Sequence, residues 1–290
     1  MSEEKLVERR VLVNGVSTLY YETGTGPVVL LLSGIGEDAR SWRKVMQDLA
    51  LTHRVLVLVL PGLGGTSPVD DLRPGPLASF AAAFLDSLEV PAGIVVGHSY
   101  GGAVAAYMAL EHPQRVTRLV LVDSAGLGRA INPLLIALGN LPAPAANLLA
   151  TTATLPGVGA LGALAGNLLL RQPWRVPLQV LIAQVRLSRT RVSVRTSIEM
   201  LRLGTELTGQ KRKYLVLGRL KNIAVPTMIV WGLTDMLLPV SQGVRAARRL
   251  RNGRLEVIRN GGHVCFLDSH EDFMAALSPF VRDDIDRLRK

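Results

Sequence analysis

The feature that most constrains the fold of this chain is the stretch of residues 94–104, in which an apolar, β-branched run meets a glycine-flanked serine and then becomes helical in pattern. The five residues from Gly97 to Gly101 form a G-x-S-x-G motif centred on Ser99. A strand that turns sharply into a helix forces the central residue into a strained conformation, and larger neighbours would collide there. The pattern therefore predicts a strand, a tight turn with Ser99 at its apex, and a helix.

Such a turn gives the serine surroundings that suit acyl transfer. The start of the helix directs unpaired N–H groups and its positive dipole end toward the region that Ser99 faces, where they would stabilise an oxyanion. A serine hydroxyl is a weak nucleophile until a base takes its proton, and the base needs a third group to orient it. The expected chain order for such a turn is serine, acid, histidine. The alternative is a glycine-rich turn that serves packing alone.

The composition fits a large globular chain. With 290 residues, 48% of them hydrophobic, the chain can form a substantial core in one domain with an insertion. Its first residues are charged where a signal peptide needs an apolar core, and no uninterrupted apolar run is long enough to span a bilayer. Cys265 is the only cysteine, which excludes an internal disulfide. We therefore expect a cytoplasmic protein without a transmembrane segment.

Strand-like and helix-like stretches alternate along most of the chain. Two short runs joined by Asn14-Gly15 predict an antiparallel hairpin near the start. Continuous apolar runs follow at residues 28–32, 55–60 and 119–122, as is typical of strands buried on both faces, and helical patterns lie between them. This order predicts an α/β fold with a mostly parallel central sheet flanked by helices.

The alternation stops at residues 125–221, which we predict to be a helical cap inserted over the sheet. No charged residue occurs in the segment 130–170, and repeated Pro and Gly residues there favour short helices over a transmembrane helix. An underside of Leu, Ile and Ala would line an apolar cavity above Ser99, suited to a hydrophobic small-molecule or acyl substrate. The predicted core then has two parts, residues 1–124 and 222–290.

Positive charge is concentrated in this predicted cap. Residues 125–221 contain thirteen Lys and Arg against two Glu, a net charge of +11 in a chain whose total is +10. Such a basic face is either simply solvated or docks an anionic partner, for example an acidic carrier protein or an anionic lipid surface. Few aromatic residues are interleaved with the basic ones, so nucleic acid is not an expected partner.

The last part of the chain supplies an acid and a histidine in the expected order. One strand-like run leads into Asp235 and the next into His263. Because the carboxyl ends of parallel strands meet at one edge of a sheet, both side chains should lie near Ser99. Asp123 also follows a strand end and is a second candidate for the acid. The histidines and acids show no metal-ligand spacing, so we predict neither a metal nor a cofactor.

These motifs resemble those of the α/β-hydrolase family, in particular its capped esterase and lipase-like group. Residues 97–102, Gly-His-Ser-Tyr-Gly-Gly, match the nucleophile elbow, and residues 231–235, Trp-Gly-Leu-Thr-Asp, match the acid turn. Gly262 and His263, with Phe266 and Asp268, match the histidine loop. The resemblance covers nearly the whole chain outside the insertion, with the motifs in the family's order.

The resemblance implies a role for each site residue. Ser99 would be the nucleophile, His263 the general base and then the general acid, and Asp235 the group that orients the imidazole. The backbone N–H groups of Ile35 and Tyr100 would form the oxyanion hole. The implied activity is hydrolysis of an ester of a hydrophobic acyl group or small molecule through an acyl-enzyme. An aspartate at the elbow marks dehalogenases and epoxide hydrolases in this family, and serine here disfavours both.

Three other activities remain open at this point. The first is hydrolysis of a carbon–carbon bond, and the second is a thioesterase or cyclase step on a carrier-bound acyl chain. The third is ligand binding by a protein that has kept the fold and lost turnover. Substrate choice depends on the geometry of the cap, which the sequence does not encode in a readable way.

Two positions depart from the family pattern. Ser33 precedes Gly34 where the family usually has histidine, and Val59 replaces the aspartate that normally precedes Pro61-Gly62. Trp42 keeps the family's spacing. We expect the first change to reshape the loop beside the oxyanion hole and the second to alter how the neighbouring loops are supported.

Overall fold

The computed structural model describes residues 7–155, 157–167 and 171–282. The strands, in chain order, are β1 (Val7–Val13), β2 (Val16–Thr23), β3 (Val28–Leu32), β4 (Arg54–Leu58), β5 (Gly93–His98), β6 (Val116–Val122), β7 (Thr205–Glu206), β8 (Gly209–Gln210), β9 (Thr227–Gly232) and β10 (Gly253–Ile258). The helices are α1 (Arg43–Leu49), α2 (Pro74–Ser87), α3 (Ser99–Glu111), α4 (Pro133–Gly139), α5 (Ala143–Thr152), α6 (Val158–Asn167), α7 (Leu178–Ser188), α8 (Arg191–Gly204), α9 (Ser241–Ala247), α10 (Cys265–Asp268) and α11 (His270–Val281).

An eight-stranded sheet has the order β1-β2-β4-β3-β5-β6-β9-β10. β1 pairs antiparallel with β2, and β2 pairs antiparallel with β4; the remaining neighbours in this sheet are parallel. The first two strands form the predicted hairpin, and its turn residues Asn14 and Gly15 both have positive φ, as a tight hairpin turn requires. The predicted mostly parallel α/β fold is confirmed.

The central strands are buried on both faces because helices cover both sides of the sheet. Residues 29–32 of β3 and 55–58 of β4 are fully buried, and β5 is buried along its whole length. Helix α2 packs against α3 and α1 against α11. Burying consecutive Val and Leu side chains, at roughly 1.5–3 kcal/mol each, supplies most of the driving force for this core.

Helices α4–α8 and the short β7–β8 hairpin form an insert between β6 and β9, which confirms the predicted helical insertion. Proline lies at the first turn of α4 and α5, where a backbone N–H would have no acceptor within the helix, so its absence breaks no helical hydrogen bond. These prolines and the intervening glycines therefore divide an apolar segment into short helices. In the described part of the chain, no single helix is long and apolar enough to cross a bilayer; α4 and α5 meet this test only as a pair, bent by 104°.

Candidate active site

Ser99 lies at the junction of β5 and α3 with a φ of +52°, in the left-handed region that side chains other than glycine rarely adopt. The backbone segments of this turn lie too close together for a side chain at either glycine of the motif. A Cβ on Gly97 would lie 2.3 Å from the carbonyl oxygen of Gly101, and a Cβ on Gly101 would lie 2.4 Å from the carbonyl oxygen of Leu32. The two glycines of the motif are therefore required by the geometry of the turn that presents Ser99.

The structure brings the three predicted side chains together. The Oγ of Ser99 lies 3.0 Å from Nε2 of His263, and Nδ1 of His263 lies 2.8 Å from Oδ2 of Asp235. His263 is only 6% exposed, and the Asp235 side chain is fully buried. With Nδ1 donating to the carboxylate, Nε2 is free to accept the hydroxyl proton, which is the arrangement that general-base activation needs.

The Asp235 carboxylate is held in place by the turn that follows β9. Its Oδ1 accepts hydrogen bonds from the backbone N–H groups of Leu237 at 2.7 Å and Leu238 at 2.9 Å. Three hydrogen bonds, counting the one from His263, thus fix the carboxylate. A carboxylate fixed in this way orients the imidazole and stabilises the imidazolium that forms during catalysis.

Asp123, the second candidate for the acid, has a different environment. It is fully buried, and its Oδ1 accepts the backbone N–H of Gly232 at 2.7 Å. Burial raises the pKa of Asp123 well above its usual value, and repulsion from Asp235 adds to the rise. Asp123 therefore supports the end of β9, while Asp235 holds His263.

The two expected oxyanion-hole residues border the same space as Ser99. Ile35 follows β3, and Tyr100 is the second residue of α3. Neither backbone N–H donates to an acceptor within the described parts of the chain. Tyr100 is anchored by its hydroxyl, which donates to the carbonyl of Leu72 at 2.6 Å. Both N–H groups are thus available to a substrate oxygen.

A buried pair that the sequence motifs did not predict, Glu37 and His98, lies beneath the site. Oε2 of Glu37 accepts a hydrogen bond from Nδ1 of His98 at 2.7 Å and another from the Gly34 N–H at 2.7 Å. Nε2 of His98 donates to the carbonyl oxygen of His263 at 2.7 Å. Both acceptors lack a proton to give, so both ring nitrogens of His98 donate and the imidazole is cationic.

The pKa values of the pair agree with this assignment. Burial alone would lower the pKa of His98, but the charge and hydrogen bond of Glu37 outweigh it and raise the pKa to about 9. Burial alone would raise the pKa of Glu37, but the charge and hydrogen bond of His98 lower it. An acid three residues after Gly34 and a histidine before the nucleophile were the only sequence signals of this pair.

Both departures from the family pattern have a structural explanation. Ser33 is buried and accepts a hydrogen bond from the Trp42 indole at 3.1 Å, so Glu37 rather than residue 33 supports the loop at Gly34. The carbonyl of Val59 accepts the Thr66 hydroxyl at 2.8 Å, and Thr66 in turn accepts the N–H of Leu19 at 3.0 Å. A threonine therefore links the loop to the sheet.

Asp268 connects the histidine loop to the insert. Its Oδ2 accepts the N–H of Gly262 at 2.8 Å, directly before His263, and its Oδ1 accepts the N–H of Gln172 at 3.0 Å. Gln172 also donates from its side chain to the carbonyl of Asn260 at 3.1 Å. One carboxylate thus ties the insert to the loop that carries His263.

Ser99 and His263 open into a cavity of about 770 Å³ between the sheet and the insert. This volume is within the range of small-molecule sites. The cavity wall is mainly apolar, and the insert contributes Leu135, Leu138, Leu149, Val158, Leu187, Val194, Ile198 and Leu201. Across residues 7–155, 157–167 and 171–282, no group of three His, Cys, Asp or Glu side chains is arranged to hold a metal ion.

Comparison with known proteins agrees with the geometry. The sequence profile of the Alpha/beta hydrolase family matches residues 29–277. The acetyltransferase component of the acetoin cleaving system of Cupriavidus necator is 32% identical over 268 residues, which are 91% of this chain and 66% of that protein.

Two further similarities span nearly the whole chain. A 2-hydroxy-6-oxo-6-(2'-aminophenyl)hexa-2,4-dienoic acid hydrolase of Metapseudomonas resinovorans is 28% identical over 296 residues, 99% of this chain and 95% of that protein. The structure of a thermophilic esterase from Thermogutta terrifontis superimposes with a TM-score of 0.75 at 19% identity, covering 96% of this chain and 98% of the esterase. On the profile match, which covers most of the sequence, and on the shared fold, this chain belongs to the alpha/beta hydrolase family.

Proposed function

We propose that this protein is a serine hydrolase that cleaves esters of hydrophobic acyl groups through a covalent acyl-enzyme. The observation that supports this most is the hydrogen-bonded series from Asp235 through His263 to Ser99, which ends in the apolar cavity. The family contains several reaction types, so the family alone does not select this one. The hydrogen-bonded side chains and the apolar lining of the cavity support ester hydrolysis.

In the first half of the reaction, Ser99 becomes acylated. Nε2 of His263 takes the hydroxyl proton as Oγ bonds to the ester carbonyl carbon, and the N–H groups of Ile35 and Tyr100 stabilise the resulting oxyanion. The C–O bond to the alcohol then breaks, and the leaving oxygen receives the proton from Nε2. Asp235 keeps the imidazole oriented and stabilises its cationic form throughout.

In the second half, water replaces the alcohol. His263 takes a proton from water as its oxygen attacks the acyl carbon, and a second oxyanion forms at the same two N–H groups. The bond between Ser99 and the acyl carbon breaks, the proton on Nε2 returns to Oγ, and the carboxylic acid leaves. No group besides the substrate and water is consumed.

The cavity supports an acyl rather than a polar substrate. Leu, Ile and Val side chains of α4–α8 line its wall, and burying each additional CH₂ against such a wall contributes about 0.8 kcal/mol. For a series of linear esters we therefore expect kcat/KM to rise with acyl length until the chain fills the cavity, and then to fall.

Covalent labelling tests the proposal. We expect one alkyl fluorophosphonate adduct on the wild-type protein by intact-mass spectrometry and none on Ser99→Ala. Ser197→Ala is the matched control, because Ser197 also borders the cavity but donates to a backbone carbonyl instead of pairing with a base. Labelling that persists in Ser99→Ala, or full ester turnover by that variant, would contradict the proposal.

Hydrolysis of a carbon–carbon bond next to a ketone is the second candidate. It is favoured by the similarity to the dienoic acid hydrolase of Metapseudomonas resinovorans, which extends over 99% of this chain. Parallel assays with linear esters, acyl thioesters and a vinylogous 1,5-diketone separate the possibilities. Turnover of the diketone without ester or thioester turnover would select this activity, and ligand binding without any adduct or turnover would indicate a non-catalytic role.

A further inference from the structure

The turn between α7 and α8 presents a surface that is both basic and apolar. α7 ends at Ser188 and α8 begins at Arg191. The exposed basic and aliphatic side chains on the two sides of this turn are Ile182, Arg186, Arg189, Arg191, Val192 and Arg195. We call these six residues the tip patch.

The tip patch faces away from the cavity. Ile182, Arg186 and Arg189 are spaced four and three residues apart, so they lie along one side of α7 and its C-terminal cap. The opposite side of the helix carries Leu187 and Ser188, which line the cavity. Arg191 and Arg195 share one side of α8 in the same way, while its inner side contributes to the cavity wall. One side of each helix therefore borders the cavity, and the other side carries residues of the tip patch.

The four arginines of the tip patch have no carboxylate partner among the residues that the structure describes. The ion pairs formed by described residues of the insert lie elsewhere and join Arg129 to Glu206, Arg202 to Glu199, and Arg219 to Glu111. The sequence from residue 124 to residue 198 contains no Asp or Glu at all. The positive charge of the patch is thus not compensated locally and extends into solvent over a screening length of about 10 Å.

Apolar side chains accompany this charge. Ile182 is 43% exposed and Val192 is 49% exposed. Leu178, one helical turn before Ile182, is 70% exposed, and Trp174 shortly before α7 is 77% exposed. Charge alone would suit any polyanion, but arginines combined with exposed aliphatic and indole groups match a lipid headgroup region above acyl chains.

We propose that the tip patch docks this protein onto an anionic lipid bilayer. Guanidinium groups bind lipid phosphates in bidentate fashion, and the aliphatic side chains beside them enter the interface. A second copy of the chain is a poor alternative occupant, because a symmetric contact would place arginine against arginine. Docking would bring the cavity to within about one helix diameter, on the order of 10 Å, of the lipid surface.

Vesicle co-sedimentation of the full chain tests this proposal. The wild-type protein should sediment with vesicles of phosphatidylcholine and phosphatidylglycerol in equal parts, not with pure phosphatidylcholine, and added NaCl should weaken the binding. The triple variant Arg186→Glu, Arg189→Glu, Arg191→Glu should lose affinity on the order of a hundredfold, because each basic residue near an anionic membrane contributes about fivefold.

A matched control variant distinguishes an effect of the tip patch on vesicle binding from an effect of the protein's net charge. Arg248→Glu, Arg249→Glu, Arg251→Glu makes the same charge change on three exposed arginines after α9, in the other part of the chain. It should bind anionic vesicles nearly as well as the wild type does. Equal loss in both triple variants would overturn the proposal. So would the absence of wild-type binding to anionic vesicles, including a result in which the tip patch binds an acidic carrier protein instead.

The proposal is independent of the proposed ester hydrolysis. Both triple variants should hydrolyse a soluble short-chain ester at the wild-type rate, because none of the six arginines borders the cavity. Vesicle binding without any turnover would contradict the proposed function and leave the docking surface intact. Turnover without vesicle binding would contradict the docking proposal and leave the proposed function intact.

Discussion

Oε2 of Glu37 lies 2.7 Å from Nδ1 of His98, and both side chains are buried directly beneath the reacting groups. Through this contact one ion pair joins three segments. Glu37 holds the N–H of Gly34, His98 immediately precedes Ser99, and His98 also holds the carbonyl of His263. The loop that carries Gly34 and Ile35, the turn at Ser99 and the histidine loop therefore share one buried support.

Neutralising one member of this pair should damage both stability and catalysis. Glu37→Gln leaves the charge of His98 buried without a partner, a change that typically costs about 3–5 kcal/mol. We expect a lower free energy of unfolding in guanidinium chloride, and a fall in kcat larger than any change in KM. Glu271→Gln, the same change at an exposed site on α11, is the control and should match the wild type. Unchanged kcat in a folded Glu37→Gln variant would contradict this role.

The same pair should make stability depend on alkaline pH. The pKa of His98 is raised from 6.5 to about 9 on folding, so its contribution to stability is complete below pH 6.5 and is lost as the pH rises through about 9. We expect the unfolding midpoint in denaturant to decline across this window in the wild type. In Glu37→Gln the decline should be much smaller, because the carboxylate that raises the pKa is gone. Parallel declines in both proteins would assign the effect to other groups.

Replacing the two buried aspartates in turn should separate their roles. Asp235→Asn removes the acceptor that fixes the His263 tautomer, and by analogy with serine-protease triads kcat should fall by a factor on the order of 10⁴. Asp123→Asn keeps an oxygen for the N–H of Gly232 and should retain most activity. Steady-state kinetics of both variants with one soluble ester would decide the question. Severe loss of activity in a correctly folded Asp123→Asn variant would mean that Asp123, and not Asp235, is the acid that acts with His263.

Asp123→Asn should also change stability in a defined direction. The pKa of Asp123 is raised on folding, so its contribution to stability is complete below its ordinary value of 3.8 and is lost as the pH rises toward the higher folded value. The asparagine variant does not titrate and should have the higher Tm at neutral pH. The difference should disappear or reverse in acid. A lower Tm at neutral pH would mean that the ionised carboxylate is favoured here.

Adding a methyl group beside the nucleophile should reduce turnover without unfolding the protein. A Cβ on Gly34 would lie 2.9 Å from the Cβ of Ser99 and 3.2 Å from Nδ1 of His98. Gly34→Ala must therefore displace the loop that carries Gly34 and Ile35 or displace Ser99, and a displacement of about 1 Å typically costs on the order of a hundredfold in rate. Gly218→Ala is the control, because no atom lies within 4 Å of the added methyl group. Similar kcat values in the two variants would show that the loop adjusts freely.

The sequence was sufficient to predict the parts of the site that follow strand ends. Ser99, Asp235 and His263 each come after an apolar run, and a parallel sheet brings those ends to one edge. The Glu37–His98 pair could not be predicted in this way, because it depends on which strands are neighbours. β3 lies beside β5 with Leu32 opposite Gly97, so residues that follow these two positions meet although they are far apart in sequence.

The arrangement of the helices in the insert could not be predicted from the sequence either. Prolines and glycines predicted short helices, and short helices are present. However, an uncharged segment of Leu, Ala and Gly has no alternating pattern that assigns one face to the core and another to solvent. The inner faces of α4 and α5 become evident only from the packing, and with them part of the lining of the cavity.

The Asp268 carboxylate receives one N–H from Gln172 in the insert and another from Gly262 in the histidine loop, so it links the position of the insert to that of the loop. If an acyl chain orders the insert, the resulting constraint on Gln172 passes through the Asp268 carboxylate and the Asn260 carbonyl to the loop that carries His263. By linkage, an ordered loop must favour acyl-chain binding by the same factor. Exchange of the insert for one from a relative would therefore preserve this link only where the new segment offers an N–H at the position of Gln172.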